Sequence, residues 1–217
     1  MSIAAGSTVT TPIRSASWFY IALLALGGIM AVIFWVVAAV PYFAMNPETF
    51  GAVPELNWPR RFPLMTHIVG GTVALLLGPI NLWLGETRRR LPWHRKLGVA
   101  YMAGVAVGAA AGFYLSVTTP LGWVFGSGLF FLAVAWTVTT GMAFIAIKNR
   151  AIVQHREWMI RSYVVTFGFV FFRIFFAGTE AMGIGTSAER LGAAAWFGWA
   201  VALMLTEPVL QWRKVKG

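Results

Sequence analysis

The fold is decided by residues 97–147, which read LGVAYMAGVAVGAAAGFYLSVTTPLGWVFGSGLFFLAVAWTVTTGMAFIAI. These 51 residues contain no Lys, Arg, Asp or Glu, and the segment Thr118–Gly122 inside them has the residues of a tight turn. A run of 18 or more apolar residues can cross a hydrocarbon core about 30 Å thick. The stretch therefore predicts two membrane-spanning helices joined by a short turn.

The rest of the chain continues this pattern. Of the 217 residues, 59% are hydrophobic and 11% are charged, whereas soluble domains have about 45–50% and about 25%. Helices are favoured over barrel strands because no run alternates apolar and polar residues. We predict an all-α, polytopic helix bundle that forms one integral membrane domain over residues 1–217. The six predicted spans are residues 18–40, 65–85, 97–118, 121–147, 157–177 and 191–210.

The first span follows a polar leader of 17 residues. Its 23 apolar residues are too many for a signal-peptide core, so we interpret it as a retained helix. Five of the ten prolines fall between spans one and two, which predicts an irregular connection there.

The basic residues indicate an orientation. Lys and Arg concentrate on the cytoplasmic side of inserted helices. With both termini cytoplasmic, 13 of the 17 basic residues fall on that side, three fall outside and Arg173 falls within span five. The sequence therefore predicts a multi-pass protein of the cytoplasmic (inner) membrane, with the lipid bilayer as a partner. Because the basic residues are dispersed over short loops, we do not expect nucleic-acid binding.

Ionisable groups at membrane depth are costly and mark candidate functional positions. At 100° per residue, span five places His155, Ser162, Thr166, Arg173 and Glu180 on one stripe. This stripe predicts a structural Arg173 held by Glu180 and free carbonyls, or a polar face that binds an anion or relays protons.

Two more spans carry a histidine on a polar or small-residue face. In span three, His94 shares a face with Tyr101, and Gly104, Gly108 and Gly112 allow close approach of a backbone or a flat ligand. In span two, His67 shares a face with Asn81. By the predicted orientation His67 lies near the outer surface, and His94 and His155 lie near the inner one.

Only His94 and His155 can therefore meet, and two interpretations compete for them. They could be the axial ligands of one b-type haem, with Arg95, Lys96 and Arg156 available to its propionates. Alternatively, the His-Arg pairs and nearby tryptophans anchor the helices to lipid phosphates. Quinone, a metal or another small ligand also remains open.

Three strings together resemble a bacterial family of predicted membrane proteins with no assigned function. They are H67-x2-G70-G71-x2-A74-L75-x2-G78-P79, H94-R95-K96-L97-G98-x2-Y101, and H155-R156-E157-W158-M159-I160-R161-S162-Y163 followed by R173. The resemblance covers about residues 64–177. It implies a multi-span membrane protein and implies no activity.

The chain is also weakly similar to six-helix diheme b-type cytochromes. In that family one haem is held between helices two and four and the other between helices three and five. The resemblance implies that His94 and His155 form the second pair and that His67 is half of the first. Span four has no histidine, so the resemblance implies at most one six-coordinate haem.

Three functions stay open from sequence alone. The first is electron transfer through one haem near the cytoplasmic side, with quinone or a partner chain. The second is binding or transport of an anion, proton or small amphiphile along the polar face of span five. The third is a cofactor-free accessory subunit, with a membrane-protein partner or a second copy of itself. Soluble-enzyme motifs are absent from the sequence, and zero Cys excludes thiolate chemistry.

Overall fold

The structure is a computed structural model that describes residues 18–50 and 54–215. Within these ranges it is all-helical and contains no strand. The α-helices are α1 (Trp18–Phe34), α2 (Pro54–Asn57), α3 (Arg61–Thr87), α4 (Leu91–Val117), α5 (Trp123–Lys148), α6 (Ile152–Thr166), α7 (Gly168–Ala181) and α8 (Ser187–Val215).

Six helical segments in this part of the chain are long and apolar enough to cross a membrane. They are Tyr20–Ala44, Pro54–Thr87, Leu91–Val117, Trp123–Lys148, Ile152–Ala181 and Ser187–Trp212. The predicted all-α bundle of six spans is thus confirmed. The polar leader with Arg14 lies outside the described residues, and the cytoplasmic position of the termini stays a prediction.

The connection between spans one and two is more ordered than its prolines predict. The chain continues from α1 through a π-helical turn, Trp35–Ala39, into a 3-10 turn, Val40–Ala44. A second 3-10 turn, Trp58–Arg60, leads directly into α3. Proline suits such turns because its fixed φ matches the first helical positions. Between these helical turns, residues 45–50 contain no helix, so the connection is irregular there but shorter than predicted.

The α3 and α4 helices pack closely through glycine. A Cβ built on Gly70 would lie 2.6 Å from the Gly104 carbonyl oxygen and 2.6 Å from the Gly108 nitrogen. Small residues let two helix backbones approach in this way, and the resulting dispersion contacts stabilise helix pairs in membranes. The glycine repeat of span three thus serves a backbone contact, with Gly70 as its partner.

Span five consists of two helices separated by one residue, whereas the sequence predicts one continuous helix with a single polar stripe. The helix α6 ends at Thr166, Phe167 forms a turn with φ −74° and ψ −6°, and α7 begins at Gly168. A constant 100° per residue does not hold across such a break. His155, Ser162 and Thr166 lie on α6, whereas Arg173 and Glu180 lie on α7; of these five residues, Thr166 and Arg173 line the same interior cavity.

Candidate functional site

His94 and His155 meet at one end of the bundle. We call it the basic end because the loops there contain Arg88, Arg89, Arg90, Lys148 and Arg150. His94 lies in the first turn of α4, and His155 lies in the first turn of α6. Their ring centroids are 6.4 Å apart and the ring planes are nearly perpendicular, at 85°. Both side chains are half-buried.

Each of these rings is fixed by a backbone carbonyl of a neighbouring helix. The Nδ1 of His94 lies 3.1 Å from the carbonyl oxygen of Asn81, and the Nδ1 of His155 lies 2.9 Å from that of Ala143. A carbonyl oxygen can only accept, so Nδ1 carries the proton and donates in both rings. The Nε2 atoms are thereby left with a free lone pair, the arrangement found in metal-ligating histidines.

A close glycine contact and an unpaired polar atom lie near His94. Gly85 lies against its ring, and a Cβ built there would be 3.0 Å from Cε1. The Asn81 side chain is 3% exposed, and its Oδ1 has no hydrogen-bond partner among the described residues. Its Nδ2 lies next to Gly98. A buried amide oxygen without a donor is costly, which favours a ligand or water at this position.

The basic residues beside the histidine pair differ in availability. The Nε of Arg156 donates to Glu86 at 2.7 Å, so this guanidinium already has a carboxylate partner. Lys96 stacks over the Trp93 ring, 5.6 Å from its centroid. Arg95 is exposed. The sequence did not indicate that Glu86 and Arg156, 70 residues apart, form a pair.

Tyr101 lies deeper in the bundle and belongs to a buried hydrogen-bond network. Its hydroxyl lies 2.8 Å from Ser162 Oγ and 2.8 Å from Thr166 Oγ1. Thr140 Oγ1 lies 2.7 Å from Ser162 Oγ, and the Trp136 indole N–H donates to Thr166 Oγ1 at 2.8 Å. The network links α4, α5 and α6, and the Tyr101 hydroxyl is fully engaged in it.

The network has one proton order that satisfies every member. Thr166 donates to the carbonyl oxygen of Ser162 at 2.8 Å, so Thr166 Oγ1 must accept from both Trp136 and Tyr101. Tyr101 has then used its proton, so Ser162 donates to Tyr101 and Thr140 donates to Ser162. The order therefore runs from Thr140 through Ser162 and Tyr101 to Thr166.

His67 and Arg173 lie on a separate cavity, in the half of the bundle away from the basic end. The Nδ1 of His67 donates to the Gly108 carbonyl oxygen at 2.8 Å, and its ring lies between Trp136 and Phe169, at centroid distances of 6.3 and 5.7 Å. Arg173 contributes to the same wall.

Arg173 and Glu180, whose pairing is one of the two interpretations of the stripe, form no ion pair. Glu180 instead faces Arg190, with 3.8 Å between Glu180 Oε1 and Arg190 Nη2. The turn at the end of α7 and the start of α8 bring Arg190 back over the last turns of α7, where its guanidinium also lies 5.8 Å from the Phe176 ring. Among the described residues, Arg173 has no ion pair and no side-chain hydrogen bond.

Sequence reasoning also missed a carboxylate pair that fixes α8 to α6. Arg161 binds Glu207 with two parallel hydrogen bonds, Nε to Oε1 at 2.5 Å and Nη2 to Oε2 at 2.9 Å. Glu157 lies 3.7 Å away on the next turn, and the guanidinium lies 4.7 Å from the Trp158 ring. Only the folded packing of α8 against α6 reveals this partner.

We predict that Glu207→Gln lowers the free energy of unfolding by about 1–2 kcal/mol, because Arg161 is 10% exposed and loses its bidentate acceptor. The loss stays moderate because the Glu207 side chain is 43% exposed. Thermal unfolding in detergent measures the change. Glu180→Gln is the matched control, since Glu180 is 59% exposed and should shift stability by less than about 0.5 kcal/mol. Equal effects of the two variants would contradict the prediction.

The fold and these contacts define a class: an integral membrane protein built from a six-span helical bundle, with histidines fixed at its ends and hydroxyls in its core. The chain belongs to the family of predicted membrane proteins DUF2306, whose sequence model matches residues 64–210. No curated protein and no solved structure matches the chain. The family match covers α3 to most of α8 and brings no assigned activity.

Proposed function

We propose that this protein transfers electrons in the cytoplasmic membrane and holds one b-type haem at the basic end, with His94 and His155 as axial ligands. The observation that carries this proposal is the 6.4 Å separation of the two ring centroids. A haem so held supplies one-electron chemistry by cycling between ferric and ferrous iron.

The separation favours ligands on opposite sides of one metal. With a metal–nitrogen bond of about 2.0 Å, the centre of an imidazole ring lies about 3.1 Å from the metal. Two trans ligands then have centroids about 6.3 Å apart, whereas two ligands at a tetrahedral angle have them about 5.1 Å apart. The centroid separation would thus allow His94 and His155 to hold one haem iron between them, and the haem would supply one-electron chemistry there. A bare tetrahedral ion is further disfavoured because residues 18–50 and 54–215 contain no group of three or more His, Cys, Asp or Glu side chains that could hold one.

The surroundings of the pair support the same proposal. The two Nδ1–H groups are held by helix carbonyls, so the rings present Nε2 without a further tautomer change. Arg95 is exposed and would be available to a propionate, whereas Arg156 would have to share Glu86 with one. Tyr101 acts by fixing α4 to α6, because its hydroxyl is occupied.

The test is the absorption spectrum of detergent-purified protein, expressed with haem supplied, before and after dithionite. We expect a Soret band and a reduced α-band, and we expect His94→Ala and His155→Ala each to abolish them by removing an axial ligand. His67→Ala is the matched control, because His67 also donates from Nδ1 to a carbonyl but lies in the other half of the bundle.

Two outcomes would overturn the proposal. One is a folded, colourless protein; the other is loss of the spectrum in His67→Ala alone. A colourless protein that copurifies with a stoichiometric partner would favour the accessory-subunit hypothesis instead. A colourless protein with saturable flux of a small anion or protons would favour transport.

A further inference from the structure

A cavity of about 470 Å³ lies inside the bundle on the His67 side. Its walls come from α1 and the turns that follow it, and from α3, α4, α5, α6, α7 and α8. Aromatic rings dominate one part of the wall, among them Phe125, Phe169, Phe172 and Phe176. This volume lies within the range of about 300–1,000 Å³ that is typical of small-molecule sites.

The positively charged side chains that line this cavity have no carboxylate beside them among the described residues. Arg60 and Arg173 line it, and no Asp or Glu does among the residues that the structure describes. The guanidinium of Arg60 donates to the carbonyl oxygens of Leu56 and Thr118, at 3.2 and 3.4 Å, and meets no carboxylate in these bonds. Arg60 is half-buried and Arg173 is exposed; both line this mostly apolar cavity, and neither has an ion pair with a carboxylate among the described residues.

Arg173 is the more costly of the two. It lies eight residues before the end of α7, or about 12 Å along the helix axis, so it sits within the membrane-spanning segment. A charged side chain at that depth normally pairs with another charge or with backbone carbonyls. Arg173 has no such partner among the described residues, which indicates that an anion from outside the chain completes the site.

A groove on the surface of the bundle leads to the same arginine. This groove of about 700 Å³ lies between α1 and α7. Its rim is apolar and exposed, with Ile33 58%, Val37 71% and Ile174 54% exposed, as expected for side chains that face lipid. Arg173, Phe34, Ala38 and Tyr42 line both the groove and the interior cavity. The two spaces therefore adjoin at Arg173.

We propose that the cavity binds an anionic amphiphile, with one acidic headgroup on Arg173 and a single apolar chain or ring system against the phenylalanine wall. The ligand enters sideways from the bilayer through the groove between α1 and α7. Carboxylate and phosphate share the chemistry that an arginine recognises, and both occur on single-chain lipids. His94 and His155 do not line this cavity, so the inference is independent of the proposed haem.

The test compares three probes with the same chain: oleate, oleyl phosphate and oleyl alcohol. Binding to the full chain in an uncharged detergent is measured by titration calorimetry. We expect oleate or oleyl phosphate to bind and the alcohol to bind at least about tenfold more weakly, because the charge-assisted hydrogen bond is absent. The tighter of the two acids identifies the headgroup as carboxylate or phosphate.

Substitutions at Arg173 test the contact with the acidic headgroup, and a substitution at Gly71 tests whether the ligand occupies the cavity. Arg173→Gln should weaken binding of the acid at least about tenfold, and Arg173→Lys should retain most of it, because the positive charge remains. Arg89→Gln is the charge-matched control, since Arg89 is exposed at the basic end. Gly71→Leu should block the acid without removing a charge, because Gly71 lines the cavity and a Cβ there meets no atom within 4 Å.

The inference fails if oleyl alcohol binds as tightly as the acids, since the site would then not recognise charge. It also fails if Arg173→Gln keeps wild-type affinity, or if Gly71→Leu binds normally while remaining folded. Neither result bears on the absorption spectrum, so failure here is distinct from failure of the electron-transfer proposal.

Discussion

Gly70→Ala should strongly destabilise the bundle. Its Cβ would lie 2.6 Å from both the Gly104 carbonyl oxygen and the Gly108 nitrogen, and 2.8 Å from the Gly108 Cα. All three atoms are backbone, so no side chain can rotate away and α3 must move from α4. Overpacking of this kind costs about 3 kcal/mol or more when the neighbours cannot relax. We expect a large drop in the thermal midpoint of the detergent-purified protein, or loss of the monodisperse folded species.

The control for this prediction is the next residue. A Cβ on Gly71 meets no atom within 4 Å, so Gly71→Ala should leave the midpoint unchanged or raise it slightly through better helix propensity. The pair has the same chemistry in the same helix and differs only in what the methyl group meets. If both variants unfold at the same temperature, the close contact between α3 and α4 does not exist as described.

The sequence predicts the spans well because a span needs only local information. An uncharged run of sufficient length and a turn at Thr118–Gly122 are enough, and α4 and α5 do end and begin around that turn. The predicted meeting of His94 and His155 also needed little more than equal depth in the membrane. The glycine repeat of α4 predicted a close approach, but it could not identify Gly70 as the residue approached.

The break in span five could not be predicted from its residues. The sequence around it, TFGFVFF at residues 166–172, is apolar on both sides and contains no proline. The turn at Phe167 is fixed by packing: Phe167 is 7% exposed, and a Cβ on Gly168 would lie 3.1 Å from the Trp199 Cβ on α8. The break does not separate Arg173 from Glu180, since both lie on α7; Glu180 faces Arg190 because α8 returns over the last turns of α7.

The carboxylate partners were unpredictable for a related reason. Arg156 with Glu86 and Arg161 with Glu207 join residues 70 and 46 positions apart, so they depend on which helices are neighbours. The sequence assigns both arginines to membrane orientation and Arg156 also to the propionates of a haem. The structure gives them a second use, which is to fix α6 to α3 and to α8.

The hydroxyl network separates the two candidate sites. Thr166 lines the interior cavity, yet its oxygen accepts from Trp136 and Tyr101 and its proton goes to the Ser162 carbonyl. With all its bonding positions used, it offers no hydrogen bond to a cavity ligand. The network is therefore better suited to fixing α4, α5 and α6 in place than to passing protons between the histidine pair and the cavity.

Tyr101→Phe should lower the free energy of unfolding by about 1–3 kcal/mol, because the deduced proton order makes its hydroxyl both donor and acceptor. Tyr101 is 0% exposed, so water cannot replace the lost group. The substitution leaves Ser162 with a buried O–H that has lost its acceptor and removes one donor from Thr166. Thermal unfolding in detergent measures the effect. Because Tyr101 fixes α4, which contains His94, to α6, which contains His155, we also expect the absorption bands of a bound haem to broaden or weaken.

Thr140→Val tests the direction in which the hydroxyl groups of this network donate. Thr140 is the first donor, so its removal leaves Ser162 with an unfilled acceptor position but with its own O–H still bonded to Tyr101. An unfilled acceptor costs less than an orphaned donor, and Val has the shape of Thr, so we expect less than half the loss seen in Tyr101→Phe. In the reverse order Ser162 would donate to Thr140, and Thr140→Val would be the costlier variant. If Thr140→Val is less stable than Tyr101→Phe, the proton order deduced here is wrong. Only in the reverse order does Thr140→Val leave the Ser162 hydroxyl without an acceptor for its proton.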